Sequence, residues 1–256
     1  MGILNVTPDS FSDGGRFSTL DSAIEQAGVM VEEGADLIDV GGESTRPGAT
    51  AVGAAEEAAR VVPVIAALAA SHRTPISIDT YRSSTAEAAL SSGARIVNDV
   101  WGLQRDPEIA RVAAAHAAPV IVMHNRDTID ERIDIVEDMM RWFDRSIAIA
   151  HAAGIPDAAI VLDPGLGFGK SLDQNVQAIA RLPELKARGY PVLVGVSRKS
   201  MIGRLTGRTD PRDRLFGTLG AGAAAVLLGA DILRVHDVGA HVDAVRVADA
   251  IKEHVR

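Results

Sequence analysis

Short apolar runs recur along this chain, and each one ends in polar residues before a longer stretch with a different periodicity begins. The eight runs cover residues 3–6, 37–40, 76–78, 96–97, 120–123, 160–162, 192–196 and 232–235. Their nearly continuous apolar character is typical of parallel strands that are buried on both faces. The pattern therefore predicts eight parallel β-strands.

The segments between these runs are long enough for helical crossovers, which are right-handed in parallel sheets. Apolar residues at helical spacing predict helices over residues 22–33, 54–68, 85–90, 108–116, 134–151 and 239–254. Eight strands alternating with helical segments in 256 residues match a closed (β/α)₈ barrel, an α/β fold of about 250 residues. No shift in composition divides the chain, so we predict a single-domain (β/α)₈ TIM barrel over residues 1–256.

Polar side chains close all eight predicted strands. These strand ends carry Asn5, Asp39, Asp79, Asn98 with Asp99, His124, Asp163, residues 197–200 and residues 234–237. A lone acid at a strand end is more often a helix cap or an ion-pair partner. In a barrel of this kind, however, the carboxyl ends of the strands meet on one face, where the active site lies. We therefore predict a polar binding site on that face.

Two kinds of chemistry can be separated within this face. Asp79, Asn98 and Asp163 offer acceptors and an amide donor that suit the amino-amidine edge of a flat heterocycle. Positive donors that suit a phosphate group are Arg46, Lys170, Arg198, Lys199, Arg234 and His236. Several of these follow strands seven and eight, the usual phosphate-binding quarter of the fold. Asn5 and Asp39 could help to hold Mg²⁺ through hard oxygens, although Asn5 could equally be a turn residue that bonds its own backbone.

Composition excludes several classes of protein. With 47% hydrophobic and 23% charged residues, the chain can bury a large core and is not disordered. It contains no cysteine, which excludes disulfides, thiolate metal sites and a cysteine nucleophile and favours a reducing, cytoplasmic location. The net charge of −8 argues against nucleic acid as a partner. No apolar run is long enough to span a bilayer, so we expect no membrane partner.

Seven segments of the chain resemble the signature blocks of the dihydropteroate synthase family, in the family's order. They are GILNVTPDSFSDGG, IDVGGESTRPGA, SIDT, VNDV, LDPGLGFGK, VGVSRKSMIG and ILRVHD. The resemblance covers essentially the whole chain. It implies a transferase of folate biosynthesis that condenses 6-hydroxymethyl-7,8-dihydropterin pyrophosphate with p-aminobenzoate and needs Mg²⁺.

The resemblance also implies roles for particular residues. The pterin would be bound by Asp79, Asn98, Asp163 and Lys199, with Met123 packing on the ring. Mg²⁺ and pyrophosphate would be handled by Asn5, Arg46, Arg234 and His236, with Thr45 near the diphosphate. The p-aminobenzoate would be surrounded by Phe11, Pro47, Phe168, Lys199 and Ser200. As catalytic residues we take Asp79, Asp163, Lys199, Arg234 and His236.

The chain departs from the family pattern at peripheral positions. Met1 precedes GILN almost directly, without the segment that usually leads into the first strand, and the loop over residues 125–130 is shorter than in many relatives. Trp101 stands where a smaller residue is frequent. No insertion is present around Phe168, which favours sulfonamide sensitivity. The glycines at 217, 220 and 222 favour close helix packing, as in a homodimer interface.

Two other functions remain open at the level of sequence. A pterin-binding methyltransfer module of the corrinoid-dependent kind would share the barrel and the Asp and Asn pterin site, but it would need no basic diphosphate quarter. A non-catalytic binding protein would bind the pterin and release no pyrophosphate. Release of pyrophosphate distinguishes the synthase from both.

Overall fold

The computed structural model describes residues 1–6, 16–43 and 52–254, and it is an α/β barrel in which strands and helices alternate. The strands are β1 (Gly2–Asn5), β2 (Ile38–Gly41), β3 (Ile76–Asp79), β4 (Ile96–Asp99), β5 (Val120–Met123), β6 (Ile160–Asp163), β7 (Leu193–Val194) and β8 (Ile232–Leu233). The helices are α1 (Arg16–Glu32), α2 (Ala54–Ser71), α3 (Ser83–Ser91), α4 (Glu108–Ala115), α5 (Ile135–Ala152), α6 (Leu172–Ala180), α7 (Leu182–Lys186), α8 (Ser200–Thr206), α9 (Leu215–Leu227) and α10 (Val238–Lys252).

All strand pairs are parallel, and the pairing runs around the whole ring. Strands β1 to β6 form one sheet in sequence order, and β7 pairs with β8. Single bridges join the two sheets, one between Leu162 and Val192 and one between Gly2 and Val235. The amide of Ile3 donates to the carbonyl of Val235 at 2.9 Å. The predicted (β/α)₈ barrel is therefore confirmed.

The strand register brings several polar side chains to one level. Asn5 is paired with Gly41, Gly41 with Asp79, and Asp79 with Asn98. Because side chains alternate along a strand, Asp39 points to the same face as Gly41 but lies one layer deeper. Gly41 faces Asp79, since a Cβ at position 41 would be in ordinary contact with the Cβ of Asp79 at 3.5 Å.

The core consists of aliphatic side chains between the strands and the surrounding helices. Phe143 and Leu162 are completely buried, and so are Leu4, Ile65 and Ile78. In a parallel sheet covered by helices, both strand faces exclude water, and this accounts for the continuous apolar runs in the sequence. No helix in the described part of the chain is long and apolar enough to cross a membrane.

The boundaries of several elements differ from the prediction. Strands β7 and β8 have two residues each, where the apolar runs covered 192–196 and 232–235. Helices α6, α7, α8 and α9 lie outside the ranges predicted from apolar spacing, and the first three contain nine, five and seven residues. Short helices of this kind depend on tertiary packing and caps. At α6 the cap is a capping box between Ser171 and Gln174.

Candidate active site

An arginine from the last strand joins two carboxylates at the carboxyl end of the barrel. Arg234 donates from Nε to Oδ2 of Asp39 at 2.6 Å and from Nη2 to Oδ2 of Asp79 at 2.7 Å. Asn98 donates from Nδ2 to the same Asp39 oxygen at 3.1 Å. Strands β2, β3, β4 and β8 are therefore connected by one buried polar network.

Burial and charge shift the ionisation of this network. Burial raises the pKa of Asp79 to about 7, with Arg234 opposing the shift and Asp39, Glu57 and Asp99 reinforcing it. For Arg234, burial alone would lower the pKa, but the carboxylates of Asp39 and Asp79 hold it above its usual value. The arginine is thus permanently charged, whereas Asp79 titrates near neutral pH.

A second carboxylate and a lysine lie across the site. Asp163 ends β6, where its Oδ1 accepts a hydrogen bond from the amide of Gly165 at 2.7 Å. Burial raises its pKa, and Lys199 opposes that shift. Lys199 donates from Nζ to the carbonyl of Leu166 at 2.5 Å, and burial lowers its pKa to about 8. The Lys199 ammonium interacts electrostatically with Asp163, Arg234 and Asp79, so these groups share one site.

The side chains expected to contact the two substrates lie around this group. The Nζ of Lys199 is 4.9 Å from the centre of the half-buried Phe168 ring. Met123 is buried and ends β5, paired in register with Asp163. Ser200 is exposed at the start of α8, directly after Lys199. Apolar and polar surfaces therefore meet beside the lysine.

Trp142 of α5 supports this arrangement from outside the barrel. Its Nε1 donates to the carbonyl of Met123 at 3.0 Å. Trp101, the departure noted in the sequence, lies with its ring centre 6.5 Å from that of Trp142 and 4.7 Å from the guanidinium of Arg105. The larger residue is thus accommodated by an aromatic and a cationic contact just after the end of β4.

His236 is held by a serine of the neighbouring strand end. The Oγ of Ser197 lies 2.9 Å from Nδ1 of His236 and accepts a hydrogen bond from the backbone amide of His236 at 3.1 Å. Since the hydroxyl already accepts from this amide, its own hydrogen can be donated to Nδ1, which fixes the ring orientation. Ser197 thus acts on the site through His236.

Asn5 provides a hard oxygen at the end of β1. No other described residue hydrogen-bonds its side chain, which is half-buried and points toward Gly41. An amide oxygen is a donor that Mg²⁺ accepts, but one donor needs phosphate and water oxygens to complete the shell. Over the described residues, no group of three or more His, Asp or Glu side chains could hold a metal ion by itself. The donor set therefore fits a magnesium ion carried largely by a diphosphate.

Four of the polar strand-end residues have structural roles instead. Lys170 donates to three backbone carbonyls, and Arg198 is paired with Asp237 at 2.9 Å. Their interpretation as phosphate donors is therefore not supported by their contacts. His124 is fully buried against Asp138 of α5, and burial lowers its pKa to about 4. Asp39 uses Oδ2 for Arg234 and Asn98, while its buried Oδ1 has no hydrogen-bond partner among the residues that the structure describes.

Residues Phe11, Thr45, Arg46 and Pro47 lie outside the described part of the chain. The sequence interpretation missed a group that brackets one of these segments. Arg82 donates to Glu43 at 2.5 Å, to the buried Glu57 at 2.7 Å and to the carbonyl of Val52 at 2.7 Å. The signal available in the sequence was Arg82 itself, which stands three residues after Asp79 of the SIDT segment.

Comparison with known proteins gives one consistent result. The family model described as pterin binding enzyme matches residues 1–236. The dihydropteroate synthase of Synechocystis sp. is 48% identical over 98% of this chain and 89% of its own length. A Clostridium difficile dihydropteroate synthase crystallised in the presence of pteroic acid is 50% identical, with a TM-score of 0.95, over 98% of this chain and 95% of that one.

A second solved structure is that of Xanthomonas albilineans dihydropteroate synthase with 4-aminobenzoic acid. It is 47% identical with a TM-score of 0.95, covering 100% of this chain and 93% of that one. Identity at this level over nearly the full length confirms the resemblance of the seven sequence segments. The chain belongs to the dihydropteroate synthase family of pterin-binding enzymes, transferases that act in folate biosynthesis.

Proposed function

We propose that this chain condenses 6-hydroxymethyl-7,8-dihydropterin pyrophosphate with p-aminobenzoate, giving 7,8-dihydropteroate and pyrophosphate. One observation carries the proposal. Two buried carboxylates, Asp79 and Asp163, share the rim of the barrel with the Lys199 ammonium and the Arg234 guanidinium. Carboxylates suit an amino-substituted heterocycle, and the cations suit its diphosphate.

The pterin would occupy the carboxylate side of the site. Asp79 and Asn98 are paired in register on adjacent strands, so together they offer acceptors and an amide donor to one edge of a ring. Asp163 would accept from the opposite edge, and Met123 would pack on the ring face. Lys199 lies between this region and Phe168, where it can contact both substrates.

The diphosphate would lie toward β8. Arg234 and His236 follow β8 directly in the chain, and Arg46 and Thr45 would join them. Asn5 would hold Mg²⁺, together with the diphosphate. When bound, the ion supplies positive charge that stabilises the departing pyrophosphate. The protein residues orient the leaving group and neutralise its remaining charge.

Bond cleavage can precede bond formation at the exocyclic carbon. As the bond from carbon to pyrophosphate oxygen breaks, the electron pair leaves with pyrophosphate and the pterin becomes cationic. Asp79 and Asp163 would stabilise that cation, because their negative charges face the ring. The amine of p-aminobenzoate is neutral at pH 7 and attacks directly, then loses its proton to water. No side-chain nucleophile is needed.

The arylamine would bind between Lys199 and apolar side chains. The Phe168 ring centre lies 4.9 Å from the ammonium, and Ser200 follows Lys199 directly in the chain. Ser200, Phe11 and Pro47 would complete the pocket. Lys199 would pair with the carboxylate of p-aminobenzoate or with the pterin, according to the step. The binding of 4-aminobenzoic acid by the Xanthomonas relative supports an arylamine subsite.

We also propose that the chain forms a homodimer in the cytoplasm. Most of the large exposed apolar side chains lie on three consecutive helices, α8 to α10, as Leu205, Phe216, Leu227, Val247 and Ile251. Helix α9 carries no charged residue, so a second copy would offer a matching uncharged face. The absence of cysteine suits a reducing compartment.

Pyrophosphate release tests the reaction directly. With pterin pyrophosphate and Mg²⁺, we expect release that depends on p-aminobenzoate and is matched by formation of dihydropteroate. Methyl transfer from a methylated pterin to a corrinoid, without pyrophosphate release, would support the methyltransfer module instead. Pterin binding with neither reaction would leave a binding protein and contradict the proposal.

A further inference from the structure

The loop after β6 is closely packed against the end of β5. Gly165 and Gly169 have positive φ angles of 64° and 57°. A Cβ at Gly165 would lie 1.9 Å from the carbonyl oxygen of His124, and one at Gly169 would lie 2.3 Å from that of Arg126. Backbone carbonyls of the two loops are therefore crowded together, and a donor is needed between them.

Lys170 supplies that donor from the end of the same loop. Its side chain is 5% exposed. Nζ donates to the carbonyls of Gly165 at 2.8 Å, Phe168 at 3.1 Å and His124 at 3.3 Å. Three bonds use all three hydrogens of an ammonium group. The group therefore has no donor left for a substrate.

The charge of Lys170 is not neutralised by a close partner. Among the described residues, no carboxylate lies within ion-pairing distance of Nζ. Burial lowers the pKa of Lys170 to about 7, and Asp163 opposes the shift. A buried cation that binds only neutral carbonyls is costly to the fold. Such a cost suits a residue that holds a functional loop in place.

The held loop in turn positions the group that meets both substrates. Leu166, next to Gly165, accepts the hydrogen bond from Lys199 at 2.5 Å, and the ring of Phe168 lies 4.9 Å from the same ammonium. Lys170 bonds the carbonyls of Gly165 and Phe168, and the backbone between them carries the Leu166 carbonyl and the Phe168 ring. Asp79 and Asn98 lie on β3 and β4 and do not depend on this loop.

We propose that Lys170 is a positioning residue for the arylamine subsite, which it organises by fixing the loop that carries Phe168 and orients Lys199. It touches no substrate. The inference rests on the proposed function, since the subsite is that of p-aminobenzoate. Loss of the Lys170 ammonium should therefore weaken arylamine binding most, because Phe168 lies on this loop. Pterin binding should weaken less, because Asp79 and Asn98 do not depend on the loop, although Asp163 accepts a hydrogen bond from Gly165.

The test compares Lys170→Met with Lys186→Met. Lys186 also donates from its ammonium, to Asp231 at 2.6 Å, but this pair lies at the amino end of β8, away from the site. For Lys170→Met, we expect the KM for p-aminobenzoate to rise about tenfold or more, and the Kd for the pterin to rise by a smaller factor. Hydrogen exchange at the amides of Gly165 and Gly167 should become faster. Lys186→Met should change none of these quantities.

Chemical rescue separates positioning from a general loss of fold. The chain contains no cysteine, so Lys170→Cys introduces a single thiol. Alkylation with 2-bromoethylamine in denaturant, followed by refolding, forms a thioether and displaces bromide, which restores a side chain of nearly the length and charge of lysine. We expect the KM for p-aminobenzoate to return toward the parent value, with the parent taken through the same cycle as control.

Two results would overturn the inference. An unchanged arylamine KM in Lys170→Met would show that the loop holds without the ammonium. A lower kcat at constant KM, in proportion to the folded fraction, would show a structural role only. Failure of the proposed function is a separate result, because the parent itself would then release no pyrophosphate with p-aminobenzoate.

Discussion

At the scale of single residues, the charged groups of the site differ in whether their ionisation is fixed or can change near neutral pH. Arg234 stays charged because Asp39 and Asp79 surround it, whereas the pKa of Asp79 lies near 7 because burial disfavours its charge. Asp39 is fully buried and serves Arg234 and Asn98. Asp79 is therefore the carboxylate whose charge can respond to the ligand.

Replacement of Asp79 by Asn tests this role. The amide keeps the shape and most hydrogen bonds but removes the charge that would face the pterin cation. Because that cation forms only along the reaction, we expect kcat to fall on the order of 100-fold and the Kd for the pterin to change much less. Rapid-mixing kinetics and equilibrium titration measure the two quantities. Equal kinetics for variant and parent would contradict the assignment.

The same residue predicts a pH dependence. A carboxyl with a raised pKa loses its charge as the pH falls through that value, so kcat/KM for pterin pyrophosphate should decline below about pH 7. The diphosphate of the substrate also titrates in this region. An acidic limb that persists in Asp79→Asn therefore belongs to the substrate, and only the limb that disappears belongs to Asp79. Identical profiles would assign the whole effect to the substrate.

At the scale of elements, the short loops between strands and helices are held by buried ions. Arg82 begins the connection to α3 and bonds Glu43 after β2, Glu57 of α2 and the carbonyl of Val52. Lys170 performs the corresponding function between β5 and β6. In both cases one cation joins groups that are distant in sequence. The loops therefore depend on contacts between elements.

Arg82→Met should destabilise the fold strongly. The substitution leaves Glu57, which is 1% exposed, with Thr85 at 2.9 Å as its one side-chain donor among the described residues. Removing one member of a buried ion pair costs about 3 kcal/mol or more of unfolding free energy. The control is Arg111→Met, which breaks an exposed pair with Glu108 and should cost at most about 1 kcal/mol. Urea unfolding of both variants decides the matter, and equal losses would refute the explanation.

At the scale of the whole molecule, the barrel leaves one apolar surface open. Phe216 on α9 is 83% exposed, and Val247 on α10 is 62% exposed. A monomer gains nothing from an exposed phenylalanine, whereas a two-fold dimer buries it twice. The homodimer is the proposal that accounts for this surface.

Phe216→Glu should convert the dimer to monomers. Two carboxylates would have to be buried at the interface, so we expect the dissociation constant measured by sedimentation equilibrium to rise at least 100-fold. Val29→Glu on α1 replaces another exposed apolar residue and should leave the association unchanged. A parent protein that sediments as a monomer at all concentrations would contradict the dimer.

Much of this molecule could be predicted from its sequence, and the reasons are local. Strands buried on both faces require continuous apolar runs, so β1 to β6 were predicted nearly to the residue. The position of Asp79, Asn98 and Asp163 followed from their place after those runs. The single domain, the magnesium ion and the roles of individual residues stay predictions. Helices α6 to α9 were missed. The first three are short and form through packing and capping that apolar spacing does not reveal, and α9 carries no charged residue that would mark a polar face.

The sequence by itself determined the barrel, the face that carries the site and the family to which the chain belongs. Only the tertiary structure decided which partners each cation has. Lys170 and Arg198 resemble Lys199 and Arg234 in sequence, yet Lys170 is bonded to backbone carbonyls and Arg198 to Asp237, whereas Arg234 and Lys199 lie among the carboxylates assigned to the pterin. Arg234 meets Asp39 and Asp79 across 195 and 155 residues of chain. Such partners are set by closure of the barrel, since the energy of a buried charge depends on the neighbours that the fold brings to it.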